Sequence, residues 1–246
     1  MTGAAGGIGQ AVVWALAQAG AAVTALDADG ERADQVAAHA RAAGYAVTAR
    51  QLDVTAPAQV EAVLAAAQAE YGPPGILVNV AGVLHHGPVT ELPTETWRWL
   101  FAVNTDGVFH LCREAAWPMI QRRAGVIVTV TSNAATVPRT QLAGYAASKA
   151  AAAMFTRCLG LELAGYGIRC NIVAPGSTDT PMLRQAGQSP ASAIEGVPQD
   201  FRLGIPLGRI AAPADVADAV LFLCSEQSRH ITMQTLHVDG GAALAT

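Results

Sequence analysis

The run Thr2-Gly3-Ala4-Ala5-Gly6-Gly7-Ile8-Gly9 opens straight into a helical pattern, Gln10-Ala-Val-Val-Trp-Ala-Leu-Ala, and a short apolar strand pattern, Ala22 to Asp27, follows. A glycine-dense turn that feeds a helix and returns to a strand narrows the possible folds more than any other feature of the chain. Parallel strands need such helical crossovers, and the alternation continues. Helices are predicted at about 30–43 and 57–70, with strands near Tyr45 to Asp53 and at Ile76 to Val80. A long helix over about 94–122, bent near Trp117-Pro118, precedes the strand Gly125 to Thr131. A helix carrying Tyr145 and Lys149 runs to about Ala164, followed by a strand at Ile168 to Ala174, a helix at about 213–224 and a last strand at Thr235 to Val238. The nearly all-apolar Gly125 to Thr131 run implies a sheet covered on both faces. The expectation is one α/β domain over residues 1–246, a doubly wound parallel sheet. Residues 176–210, rich in Gly, Pro and Ser, read as an excursion long enough to act as a substrate lid.

The loop also has a chemistry. Glycines let backbone approach a pyrophosphate, and the helix N-terminus behind them supplies N–H donors and positive potential. Asp27, at the end of the next strand, is placed to accept from the adenosine ribose hydroxyls and to repel a 2′-phosphate. No Arg or Lys lies in the glycine loop or directly after Asp27, so the expected cofactor is NAD. Asp53 and Asn79 fall at strand C-termini, the edge where open α/β sheets bind ligands. Asp53-Val54 would meet the adenine and Asn79-Val-Ala-Gly82 would line the floor; a helix cap or turn is the plainer role for both.

Lys149 is the only lysine in the chain, and it follows Tyr145 in Tyr145-Ala-Ala-Ser-Lys149. Residues at i and i+4 share a helix face. An ammonium beside a phenol favours the phenolate, and a compact ammonium does this better than a wide planar guanidinium. The pair reads as a tyrosine general base and its activator. Against nucleic acid or membrane partners stands a formal net charge of -4 with scattered basic residues. No apolar run is long enough to span a bilayer and no secretory leader pattern is present, so a cytoplasmic location is expected. Cys112, Cys158, Cys170 and Cys224 lack metal-ligand or disulfide-framework spacing, and no metal is expected.

The order and spacing of Thr2-Gly-x-x-x-Gly7-Ile-Gly9, Asn79-Val-Ala-Gly82, Asn104, Ser132, Tyr145-x-x-x-Lys149 and Pro175-Gly176 resemble the short-chain dehydrogenase/reductase family across nearly the whole chain. The resemblance implies a seven-stranded Rossmann sheet and a dimer or, more often expected here, a homotetramer. It implies Tyr145 as acid/base, Ser132 orienting the substrate oxygen, and Lys149 lowering the tyrosine pKa and binding the nicotinamide ribose. Asn104 would hold a water in a proton relay, and Gly3, Gly7, Ile8, Gly9, Pro175, Gly176 and Thr178 would line the cofactor site. A narrower resemblance covers Ser132 to Arg139, Gly160 to Ala164, Ile168 to Ile172, Pro175 to Thr180, Leu203 to Leu207 and His230 to Met233. It points to the branch that oxidises a dihydroxylated cyclohexadiene carboxylate to a catechol acid for siderophores. Arg139 is then the first candidate to grip the carboxylate bidentately.

Two departures carry expectations of their own. Where that branch has an arginine after Asn79-Val-Ala-Gly-Val-Leu84, this chain has His85-His86. His85 would hold a carboxylate less strongly and with pH dependence, which leaves an amino-substituted dihydrobenzoate open as substrate. A broader alcohol dehydrogenase or 3-oxoacyl reductase also stays open. The full Asn104, Ser132, Tyr145, Lys149 set argues against a non-catalytic NAD-binding sensor. The family also has a strand before its Thr-Gly. Here Met1 stands where that strand would end, so neighbouring strands are expected to lose ladder partners. A misplaced start is the accompanying expectation, and an intact mass matching 246 residues would exclude it.

Overall fold

The computed structural model describes residues 1–185 and 189–244. The glycine loop leads into α1, Gly7–Gln18, then β1, Val23–Asp27. Next come α2, Gly30–Ala42, β2, Val47–Gln51, α3, Pro57–Tyr71, and β3, Ile76–Asn79. Asp29 starts α2 by accepting from the Arg32 N–H, and Pro57 starts α3 with its fixed φ. The second half runs α4, Thr94–Phe101, α5, Gly107–Arg122, β4, Gly125–Val130, α6, Ala143–Leu163, and β5, Ile168–Pro175. After the short helices α7, Pro181–Gln185, and α8, Pro190–Glu195, the chain ends in α9, Pro213–Cys224, and β6, Thr235–Val238.

Among the described residues all strand pairings are parallel, as the alternation predicts, but they form two sheets, β1-β2 and β3-β4-β5-β6. Residues 1–4 thread between them. The Thr2 N–H donates to Val78 O on one side at 3.0 Å, while Met1 O accepts from the Leu26 N–H on the other at 2.9 Å. This stub occupies the centre of a doubly wound order, β2-β1-stub-β3-β4-β5-β6, and successive strands are added outward on one side of it and then on the other. The stub thus supplies ladder partners to both neighbouring strands. Thr2 bridges Leu26, and its hydroxyl accepts from the Val80 and Ala81 N–H groups.

Each face of the sheet has its own apolar core. On one, Val12, Val13 and Leu16 of α1 meet Val216, Val220 and Leu223 of α9. On the other, Leu111 and Met119 of α5, Ile127 of β4 and Leu163 of α6 pack together. Each fully buried leucine of this kind contributes roughly 2 kcal/mol relative to exposure, and together these layers fix where the strand ends lie. Among the described residues, no helix is long and apolar enough to cross a membrane.

The long helix over 94–122 is interrupted, but not where proline suggests. α5 continues through Pro118, and the break is a π-turn at Ala102–Asp106 between α4 and α5. A single inserted turn of this kind re-aims one residue without ending the helix, and here that residue is the fully buried Asn104. The 176–210 excursion is structured rather than open. It holds α7, α8 and a 3-10 turn at Pro198–Asp200, and is tied back by bridges Thr178↔Ala211 and Val197↔Arg202. Residues 186–188 of that expected lid lie outside the described residues.

Candidate active site

A cleft of about 720 Å³ lies along the C-terminal strand edge. The glycine loop forms one end. Gly3 adopts φ +69°, and a side chain on Gly9 would overlap the Gly3 carbonyl oxygen, so the loop can wind tightly only without one. No side chain caps the first turn of α1 and no acidic residue sits in it. Its N–H groups stay available to an anion. Asp27 stands beside this loop and accepts from the Ala5 N–H at 2.9 Å and the Asp29 N–H at 3.0 Å. Its carboxylate thus braces the loop as well as facing the cleft. Asp53 and Val54 line the same end. Asp53 accepts from both the Thr55 N–H and hydroxyl, the plainer turn role that its strand-end position allows.

Pro175, Gly176 and Thr178 form the far wall, where β5 leaves the sheet. Thr178 is buried and donates to the Gly176 carbonyl at 3.2 Å. Together with Gly3, Gly7, Ile8 and Gly9, these residues fit a dinucleotide. The bare glycine cradle suits a pyrophosphate, the uncapped helix end its charge, and the carboxylate at the end of β1 a ribose.

The middle of the cleft holds Ser132, Tyr145 and Lys149. Ser132 follows β4, while Tyr145 and Lys149 stand one turn apart on α6. Ser132 Oγ accepts from the Ala134 N–H at 3.1 Å, which fixes its rotamer, and the hydroxyl also hydrogen-bonds with Tyr145. The tyrosine side chain is half-buried, with its hydroxyl at the deep end. There burial pushes the phenol above its ordinary value, and the Ser132 hydrogen bond opposes that rise. The Lys149 ammonium is itself pushed down to about 8 by burial and donates to Val130 O at 3.2 Å. A Cβ at Gly82 would come within 2.8 Å of its Nζ, so the absence of a side chain there makes room for the ammonium.

Three predicted site residues lie off the cleft wall. Asn79 is buried beneath the floor, where its amide donates to Thr129 Oγ1 at 3.3 Å and Cys112 Sγ at 3.4 Å. It ties β3 to the core, because strand alternation turns it inward. Asn104 is fully buried behind the cleft wall. The amide accepts from the Val83 N–H and donates to Val83 O, both at 2.9 Å, and donates to Ser148 Oγ at 3.0 Å. It pins the segment after β3 against α6, and the π-turn supplies the aim. His85 is replaced on the wall by His86, while the His85 ring packs by Gly87. Adjacent residues on an extended segment point opposite ways.

Arg139, the predicted carboxylate partner, does line the cleft. Sequence reasoning missed Trp99, Leu142, Leu183 and Arg202, which line it too. It also missed Arg32, which reaches back from α2 to donate to Ala5 O at 3.2 Å beside Asp27. Only the cap at Asp29 could have signalled this, because it sets Arg32 in the first turn of α2 over the loop.

A doubly wound sheet with this glycine loop and a serine, tyrosine and lysine in one cleft defines a dinucleotide-dependent oxidoreductase. A sequence model of the family described as enoyl-(acyl carrier protein) reductase matches residues 3–243. The chain is 51% identical to the 2,3-dihydro-2,3-dihydroxybenzoate dehydrogenase of Bacillus subtilis, covering 99% of this chain and 95% of that protein. It is 42% identical to the vibriobactin-specific 2,3-dihydro-2,3-dihydroxybenzoate dehydrogenase of Vibrio cholerae, over 99% and 95% of the two chains. A solved gluconate 5-dehydrogenase from Burkholderia cenocepacia, in complex with NADP and tartrate, superposes with a TM-score of 0.91 at 34% identity, over 100% and 94%. The chain belongs to the short-chain dehydrogenase/reductase family, whose Rossmann fold binds a nicotinamide dinucleotide.

Proposed function

We propose that the protein oxidises 2,3-dihydro-2,3-dihydroxybenzoate to 2,3-dihydroxybenzoate with NAD, in catechol siderophore synthesis. The similarity to the Bacillus subtilis enzyme, carried through the excursion over the cleft, is the observation that supports it best. When bound, the oxidised nicotinamide supplies the hydride acceptor and a positive charge. Ser132 Oγ orients the carbinol oxygen, and Tyr145 Oη takes its proton. Burial alone disfavours the phenolate, so the Ser132 hydrogen bond and the Lys149 charge work in the opposite direction. The ketone formed is a tautomer of an aromatic catechol, which makes the oxidation effectively one-way. Asn104 acts as a positioning residue that holds Val83 and Ser148. Trp99, Leu142 and Leu183 give the ring an apolar bed, and Arg139 grips the carboxylate.

NAD is favoured over NADP because Asp27 would stand against a 2′-phosphate. Arg32 is the counterweight, and its hydrogen bond to Ala5 O holds it beside the loop. The expected result is NADH formation from 2,3-dihydro-2,3-dihydroxybenzoate, with NAD preferred by about 100-fold in kcat/KM. Asp27→Asn should erode that preference. Equal use of NADP by the unmodified protein would remove Asp27 as the discriminator. Turnover of an amino-substituted dihydrobenzoate alone would redirect the substrate assignment.

We also propose a homotetramer. Phe109 and Trp117 on α5, and Met154 and Leu161 on α6, are exposed large apolar side chains on two helices that pack together, the kind of surface that subunit contact covers. Light scattering should give four times the chain mass; a monomer at micromolar concentration would refute it.

A further inference from the structure

Two arginines converge on the cleft from separate elements. Arg139 comes from the loop before α6 and Arg202 from the excursion, just after the 3-10 turn at Pro198–Asp200. Both are half-buried, and neither forms an ion pair among the described residues. Each is tethered to a neutral oxygen. Arg139 Nη2 donates to Ala242 O at 3.3 Å, and Arg202 Nη2 donates to Ser177 Oγ at 2.9 Å. One anchor per guanidinium leaves most of its five donors without a protein acceptor.

The nearby carboxylates do not neutralise the pair. Asp239 accepts from Asn133 Nδ2 and from the Gly241 and Ala243 N–H groups, so its oxygens are committed to the turn after β6. Asp200 lines the cleft and favours the Arg202 cation, yet makes no ion pair with it. Burial and the Arg139 charge both push Arg202 below its ordinary value, though a guanidinium stays protonated. Two like charges in one partly desolvated cleft repel, and an anion between them relieves both.

We propose that Arg202 is the second half of a two-guanidinium clamp, with Arg139, that receives the carboxylate of the substrate. The clamp rests on the carboxylate substrate of the proposed function and adds a specificity residue to it. Two planar forks can each take one edge of a carboxylate, or share its two oxygens from opposite walls. A substrate lacking the carboxylate leaves the two cations facing each other, so discrimination comes as much from that repulsion as from the attraction. Because Arg202 belongs to the excursion, the anion also ties the excursion to the α6 side of the cleft.

The test compares 2,3-dihydro-2,3-dihydroxybenzoate with its carboxyl-free analogue, cyclohexa-3,5-diene-1,2-diol. In Arg202→Gln the KM for the carboxylate should rise about 30-fold relative to the KM for the analogue. Arg202→Lys, which keeps the charge but not the fork, should recover part of that ratio. In Arg139→Gln/Arg202→Gln the effects should be non-additive, as expected of groups sharing one ligand. A KM ratio unchanged in Arg202→Gln overturns the clamp, and so does an equal KM rise for both substrates. If the unmodified protein turns over neither compound, the functional reading fails by itself, and binding of benzoate and of catechol, read by quenching of tryptophan fluorescence, tests the clamp. Benzoate affinity lost in Arg202→Gln with catechol affinity retained upholds it; benzoate affinity retained overturns it.

Discussion

Tyr145→Phe is expected to lower kcat by about 10³-fold while leaving NAD affinity within a factor of a few, because general acid–base groups supply effects of that size. The substitution removes one oxygen. The ring keeps its place on α6, so the cleft keeps its shape. The lost hydroxyl also frees Ser132, whose Oγ remains fixed by the Ala134 N–H. The pH profile of the unmodified enzyme should carry the same signature. Burial raises the phenol and lowers the Lys149 ammonium to about 8, so both titrate on the alkaline side, and kcat/KM should climb with pH there. In Tyr145→Phe that climb should vanish. Full turnover in Tyr145→Phe would assign the proton transfer elsewhere, and a matching loss of NAD affinity would make the tyrosine a cofactor contact.

Much of this site could be read in the chain because its parts are local. A glycine loop feeding a helix, a carboxylate ending the next strand, and a tyrosine four residues before a lysine each occupy one short segment. Their chemistry follows from spacing. What escaped the sequence depends on which way a residue faces. His85 and His86 differ by one step, and the extended segment after β3 turns the second into the cleft. Asn79 ends its strand as predicted, yet strand alternation buries it against Thr129. Asn104 sits in a helix pattern whose π-turn no periodicity announces, since the inserted residue keeps the apolar face nearly intact. Arg202 and Arg32 come from elements distant in sequence, and only packing brings them to the cleft. The fold shows the same division. The alternation set strands and helices nearly to their ends, and Pro118 misled because α5 tolerates it while the interruption falls at Ala102–Asp106.

Lys149→Met should abolish activity and stabilise the cofactor-free protein at the same time. The side chain is 5% exposed, and its hydrogen bond to Val130 O is weak compensation for a buried cation. A fall from 10.5 to about 8 means the charged form is disfavoured in the folded protein, by about 3 kcal/mol. The folded pKa lies below the unfolded one, so between about pH 8 and 10.5 the unfolded chain binds more protons. Stability from this group therefore rises with pH across that window, and below pH 8 the full cost is present. Methionine keeps the length of the stem and removes the charge. After about 1 kcal/mol for the lost hydrogen bond, the variant should gain about 2 kcal/mol at pH 7. For a chain of this size that corresponds to roughly 4–8 °C in Tm. The advantage should shrink as the pH is raised toward 10, where the native lysine is already neutral. Turnover should fall by about 10³-fold, since both the cation and its ammonium donors are gone. Scanning calorimetry of both proteins at pH 7 and pH 9.5, without cofactor, checks the stability half. A Tm for Lys149→Met below the unmodified protein at both pH values would mean that the ammonium holds the cleft together. The opposite result makes the only lysine in the chain a residue kept for chemistry against the stability of the fold.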